Sequence, residues 1–356
     1  MTRLEKISAA VRERGWDAVV MTAMDNLCYA TGLSGLEGMA LVTADGRGFC
    51  YTDSRYIEAA TAAVAPVGYQ VFMPEESYAE CAAKLCGELN VRKLGFEDRK
   101  MTVAEYRGFE AGLADCLTPA HGFFDELREV KEEEEVERMV KAQRIAEAAL
   151  EELLPQMRPG AVEQELAADL EYYMRRRGSE GVSFPTILVS GEKSSLPHGH
   201  PGSRKLQRGD FVTIDFGATY GGYHSDMTRT FAIGEASEEM KRVYDTVLRA
   251  QLAGIEALEV GRTGKEVDAA ARRVIADAGY GAYFGHGLGH SLGLMVHENP
   301  RAAKTYEGRF RQGNIITMEP GIYLPGRFGV RIEDMLFLSA SGKRNLTAFP
   351  KELCIL

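Results

Sequence analysis

Two stretches of this chain set paired carboxylates into apolar, strand-forming sequence, and no other feature narrows the fold as far. In FVTIDFGATYGGYHSDMTRTFAIG, which begins at Phe211, two β-type runs flank Gly221-Gly222, the pattern of a hairpin. Asp215 and Asp226 lie symmetrically about a centre between Tyr220 and Gly221, so an antiparallel pair at that register sets them opposite one another on one face. In IITMEPGIYLPGRFGVRIEDMLFL, which begins at Ile315, Glu319 and Glu333 are symmetric about Gly326 in the same way. Like charges side by side raise each other's pKa, a costly arrangement unless a cation or a proton is shared. The structural alternative is a pair of glutamates bound to Arg327 or Arg331; two such hairpins in one domain weigh against it.

Between the hairpins lies GHGLGHSLGLMVHENP, with His286, His290 and His297, three of the chain's seven histidines. Its four glycines let the backbone approach closely and expose the imidazoles. SLPHGHP adds His198, which follows the strand-like FPTILVS, and His200, which reads better as structural or solvent-exposed. Four carboxylates and an imidazole form a hard, oxygen-dominated donor set that suits manganese, cobalt, iron or zinc, manganese above all. Two divalent ions held by such a set lower the pKa of a water, and hydrolysis of an amide follows from that chemistry.

The rest of the chain supplies a frame. Residues 1–14 and 75–89 have helical spacing, while 16–21, 39–42, 48–51 and 93–97 read as strands, which together predict a small α/β domain. Residues 128–157 form one long run of helix formers, stopped by Pro159-Gly160, with Glu132–Glu135 suited to the positive end of a helix dipole. A second helix is expected over 163–177, and the domain boundary near 122–130. No internal repeat is visible. A formal net charge of −10 argues against nucleic acid or an anionic membrane as a partner. No apolar run approaches the roughly 20 residues of a membrane span, the charged N-terminal stretch lacks the apolar region of a secretory signal, and six scattered cysteines read as reduced thiols. A cytoplasmic location is therefore expected.

With DFGA, SDMTRT, GHGLGH, VHENPR, MEPGIY and VRIED in this order, the chain resembles the creatinase/aminopeptidase, or pita-bread, family of metallopeptidases, in particular its Xaa-Pro dipeptidase (prolidase) and Xaa-Pro aminopeptidase branch. The resemblance covers essentially the whole chain, and YTDSRY, with Asp53 and Arg55, is similar to the family's N-terminal signature. It implies an α+β fold, with a pita-bread catalytic domain at 126–356 preceded by a smaller α/β creatinase-type domain at 1–125 that serves dimerisation or covers the site. It implies two divalent metal ions, with Asp215 chelating one, Asp226 and Glu333 bridging both, and His290 with Glu319 completing the second. Glu319 is also implied as the proton shuttle. His198 and His297 are implied as contacts of the scissile carbonyl that stabilise the developing oxyanion. His286, Arg301 and Arg331 are implied on the substrate side, Arg301 resembling the clamp that prolidases use for the proline carboxylate.

The implied substrates are small peptides with proline in second position, and the implied assembly is a homodimer. The bond to proline is a tertiary amide without an N–H, so a site shaped for the ring accepts what a site demanding that donor rejects. Arg301 favours a dipeptidase over an aminopeptidase for longer peptides. A methionine aminopeptidase would leave the N-terminal domain surplus, and a creatinase-type amidinohydrolase would need no metal. Noncatalytic binding modules of this fold typically lose metal ligands, whereas all five are present here.

Overall fold

The computed structural model describes all 356 residues, which divide into compact units Met1–Arg128 and Glu129–Leu356. In the first unit six strands lie in the spatial order Tyr69–Phe72, Gly48–Tyr51, Met39–Thr43, Ala18–Met21, Leu94–Phe96, Leu117–Pro119. Pairing is antiparallel across Gly48–Tyr51, Met39–Thr43 and Ala18–Met21, and parallel toward both edges. Helices Arg3–Glu13, Tyr78–Glu88 and Val103–Leu113 each start at a capping box, Thr2/Glu5, Ser77/Glu80 and Thr102/Glu105, which satisfies two of the orphan donors at a helix start. Asp53 and Arg55 form a local ion pair that also takes in Glu37.

The second unit repeats one pattern twice, although its sequence does not. Helices Glu133–Leu153 and Glu163–Arg176 pack together and share a core with strands Ile187–Ser190, Phe211–Phe216 and Met227–Ala232. Helices Glu238–Ala257 and Gly264–Asp277 do the same with strands Ile315–Met318, Gly321–Leu324, Phe328–Arg331 and Asp334–Ser339. Each helix pair thus packs against the strands of one acidic hairpin. No helix is long and apolar enough to cross a membrane.

The long helix expected over 128–157 is interrupted. It comprises Phe123–Glu129 and Glu133–Leu153, separated by an extended Glu132 whose side chain caps the second helix with Glu135. The cause is tertiary: the Lys131 amide donates to the Gly313 carbonyl, and its ammonium is buried against Ser291 and Glu298. Helix propensity yields to a buried ion pair that the local sequence cannot reveal.

Candidate metal centre and substrate cavity

The first hairpin turns one residue later than its symmetry suggested. Gly221 and Gly222 have φ of 58° and 77°, as the two central residues of a tight type I′ connection require, and Tyr220 faces Tyr223. The register therefore sets Asp215 opposite Thr228, and continued along the strands it sets Asp226 opposite Gly217. The aspartates are diagonal neighbours rather than direct partners, yet still share a face. In the second hairpin Met318 faces Asp334 and Gly321 faces Arg331, so the observed centre is Gly326 and Glu319 falls opposite Glu333. A short antiparallel pair, Gly289–Ser291 with Glu298–Ala302, carries His290 alongside them. Gly289 is indispensable there, since a Cβ would stand 1.9 Å from the Thr317 carbonyl oxygen.

Asp226, His290 and Glu333 converge until one ligand atom from each lies within 4.8 Å of the others. His290 Nε2 is 3.4 Å from Glu319 Oε1 and 3.7 Å from Asp226 Oδ2. His290 Nδ1–H donates to the Ser291 carbonyl at 3.0 Å, which leaves Nε2 as a lone-pair donor facing the carboxylates. Burial lowers its pKa to about 3, so the ring is neutral, the form that binds a metal.

The carboxylates are poorly compensated. Burial, reinforced by Glu333, Asp215 and Glu319, pushes Asp226 well above the ordinary range. Glu333 is pushed up likewise by burial, then by Glu319 and Asp215. Burial raises Glu319 to about 8. Asp215 Oδ1 and Asp226 Oδ1 are buried with no hydrogen-bond partner at all. Buried polar atoms in native proteins are nearly always satisfied, so orphaned carboxylate oxygens converging on a neutral imidazole fit divalent cations held by hard oxygen donors.

Residues 137–340 match the profile of metallopeptidase family M24, and residues 3–130 that of the creatinase/prolidase N-terminal domain. The chain belongs to metallopeptidase family M24. Relatives of this M24 peptidase include the Xaa-Pro dipeptidase of Pyrococcus horikoshii, 36% identical with 99% of this chain and 98% of that one covered. The solved Xaa-Pro dipeptidase from Bacillus anthracis superposes with a TM-score of 0.95 at 39% identity, covering 99% of both chains. The X-Pro aminopeptidase from Thermotoga maritima does so at 0.91 and 35% identity, covering 98% of this chain and 99% of its own.

In this M24 peptidase a cavity of about 490 Å³ opens over the acidic cluster. All ten residues singled out from the sequence line it: Asp215, Asp226, His290, Glu319, Glu333, His198, His297, His286, Arg301 and Arg331. His198 is exposed to it, as is His200 beside it, while the His297 ring packs edge-on against His290 at 4.4 Å between centroids. Arg301 lies directly across from His290, and its guanidinium has no protein partner.

His286 and Arg331, expected on the substrate side, line the cavity and are also bonded into the protein around it. His286 Nδ1–H donates to the Gly287 carbonyl, and Nε2 accepts from the Tyr323 hydroxyl at 2.9 Å. That hydroxyl accepts from Arg331 Nη1, whose Nη2 donates to Asp215 Oδ2 at 2.6 Å. Arg331 also donates to the Thr228 hydroxyl and the Pro197 carbonyl. Both side chains are thus links in a buried relay that ends on a candidate ligand. Sequence reading missed Tyr323, together with Thr228, which donates to Glu333 Oε2 at 2.7 Å, and Thr317, which lies 3.4 Å from Glu319 Oε1. Only the alternation in TMEPGIY and SDMTRT hinted that these residues share a face with the acids.

Proposed function

We propose that the chain is a dinuclear Xaa-Pro dipeptidase that uses manganese. The observation that carries this reading is one cavity joining four carboxylates, which share Arg331 as their one cationic partner, to a second arginine, Arg301, without a partner. Asp215, Asp226, His290, Glu319 and Glu333 would hold the two divalent ions. When bound, such ions polarise a carbonyl and acidify a water. Glu319 accepts the proton of the attacking water and returns it to the proline nitrogen as that nitrogen leaves. His198 and His297 face the scissile carbonyl and donate to the charge that develops on its oxygen. Arg331 and His286, joined through Tyr323, orient Asp215 as outer partners orient a ligand.

Arg301 accounts for the preference for dipeptides. Its guanidinium pairs with the free carboxylate of proline, in a bond that a longer peptide does not offer. Phe184, Pro185, Ile187 and Val296 give the cavity an apolar wall suited to the pyrrolidine ring. Relatives named Xaa-Pro dipeptidase support the substrate class. We take the enzyme to act in the cytoplasm as a homodimer; its acidic balance and unpaired cysteines suit the first, and light scattering tests the second.

The test is an assay with added manganese against Ala-Pro, Ala-Pro-Ala and Ala-Ala, following release of the N-terminal residue. Cleavage of Ala-Pro alone is expected. Equal or better cleavage of the tripeptide would make the enzyme an aminopeptidase and remove Arg301 from its role. Cleavage of neither proline peptide by folded, metal-loaded protein would overturn the reading.

A further inference from the structure

His198 is not on a strand. It sits with His200 in the segment Gly191–Gly202, which leaves the sheet after Ser190 and returns toward helix Glu163–Arg176. The segment opens with a 3₁₀ turn, Gly191–Ser195, and then runs without regular structure; such a stretch is a poor platform for a side chain that must meet a carbonyl within a few tenths of an ångström, unless something fixes it. One fully buried carboxylate does so. Glu163, the first residue of that helix, accepts from the Ser190 amide at 2.8 Å and the Ser190 hydroxyl at 2.7 Å through Oε1. Through Oε2 it accepts from the Gly202 amide at 3.1 Å and Lys193 Nζ at 2.5 Å. Lys193 Nζ in turn donates to the His200 carbonyl at 3.0 Å. Both ends of the loop and a cation within it are therefore tied to a single side chain. Two lighter contacts hold its middle: the Gly329 amide donates to the Ser194 hydroxyl, and Arg331 to the Pro197 carbonyl.

We propose that Glu163 is a positioning residue for the reaction: it fixes the Gly191–Gly202 loop and thereby the place of His198 in the cavity. The inference rests on the role given to His198 above. No candidate metal ligand lies on the loop, so Glu163 governs the turnover rate without governing metal content. Glutamine at this position keeps the shape but turns an amide N–H₂ toward either Ser190 or the Lys193 and Gly202 donors, donor against donor.

The experiment is a double-mutant cycle with Glu163→Gln and His198→Ala on manganese-loaded protein and Ala-Pro, with metal content and trypsin sensitivity measured alongside. Glu163→Gln is expected to lower kcat about 10- to 100-fold with a smaller change in KM, at unchanged metal content. The double variant should be no slower than His198→Ala by more than about 2-fold, because residues that act as a unit are not additive. Metal-free Glu163→Gln should also be cut after Lys193 under conditions that leave the parent chain intact. Losses that multiply, or a Glu163→Gln enzyme as fast as the parent, would overturn the inference and leave the function standing. Full activity in His198→Ala would remove the role of His198 and the inference with it. If Glu163→Gln does not fold, Lys193→Met serves in the same cycle and should give a weaker form of the same pattern; multiplying losses there count against the inference equally.

Discussion

Glu333 and Asp334 are neighbours in the chain and both are buried, yet their surroundings differ in kind. Asp334 is met by Arg229 at 2.8 Å, Lys351 at 2.6 Å, and the amides of Gln251 and Asn345 at 2.9 Å each. Burial alone would raise its pKa, but Arg229 and Lys351 outweigh it and hold the group below the usual range. Glu333 has the Thr228 hydroxyl and only the more weakly acting Arg331, which is bonded to Asp215, so burial and repulsion from Glu319 and Asp215 prevail and push it the opposite way. Arg229 joins the two sides, since it also donates to the Glu333 carbonyl and anchors the tail through Phe349 and Pro350. Burial of a charge therefore does not mark a site here. A shortfall of compensation does, because an incompletely paired buried carboxylate persists only where a ligand completes it.

The largest expected effect separates the two neighbours by activity. Glu333→Gln should lower Ala-Pro hydrolysis by roughly 1000-fold or more, the value of several kcal/mol of lost charge stabilisation. The metal-free variant should nevertheless be at least as stable toward urea as the metal-free parent, because one of two repelling acids has been neutralised. Asp334→Asn should do the reverse to stability. It leaves Arg229 and Lys351 without their full partner, and urea unfolding should reveal a cost of about 3–5 kcal/mol. If Glu333→Gln destabilises the metal-free chain more than Asp334→Asn does, the comparison fails.

Acidity offers a second way to separate them. Glu319 binds its proton more tightly when folded, with a pKa near 8, so its contribution to metal-free stability is complete below the unfolded value and disappears as pH rises through 8. Asp334 has a lowered folded pKa, and its contribution disappears only as pH falls below the ordinary aspartate range. Thermal melting of the metal-free protein should accordingly weaken from about pH 5 to pH 8, and manganese should flatten that slope. The smallest effect is expected at Arg301, an uncompensated cation that water already solvates. Arg301→Ala should lower kcat/KM for Ala-Pro by about 10- to 150-fold, the equivalent of about 1.5–3 kcal/mol, mostly through KM, with little change for Ala-Pro-Ala.

The acids were legible because symmetric spacing around glycine turns is a local signal, and the histidines because His286, His290 and His297 cluster in one glycine-rich stretch. Even there the first hairpin carried an ambiguity. Counting to equalise Asp215 and Asp226 misplaced its centre by one residue, whereas the demand for positive φ at both turn residues would have set it between Gly221 and Gly222. The break at Lys131, the Tyr323 relay and the clamp at Glu163 were hidden for a different reason. Each depends on bonds between residues 37 to 167 positions apart, His286 to Tyr323 and Arg331 to Asp215 in the relay, and no local window of sequence contains both partners. The twofold repetition of helix pair and hairpin was hidden too, because it resides in topology and not in residue identity.

Most direct would be a titration of metal-stripped protein with manganese while alanine release from Ala-Pro is followed. Activity absent at the start, rising with added metal and saturating at two ions per chain, is the result predicted by the poorly compensated carboxylates. Full activity without metal, or none at any manganese concentration in a chain that remains folded, would contradict it.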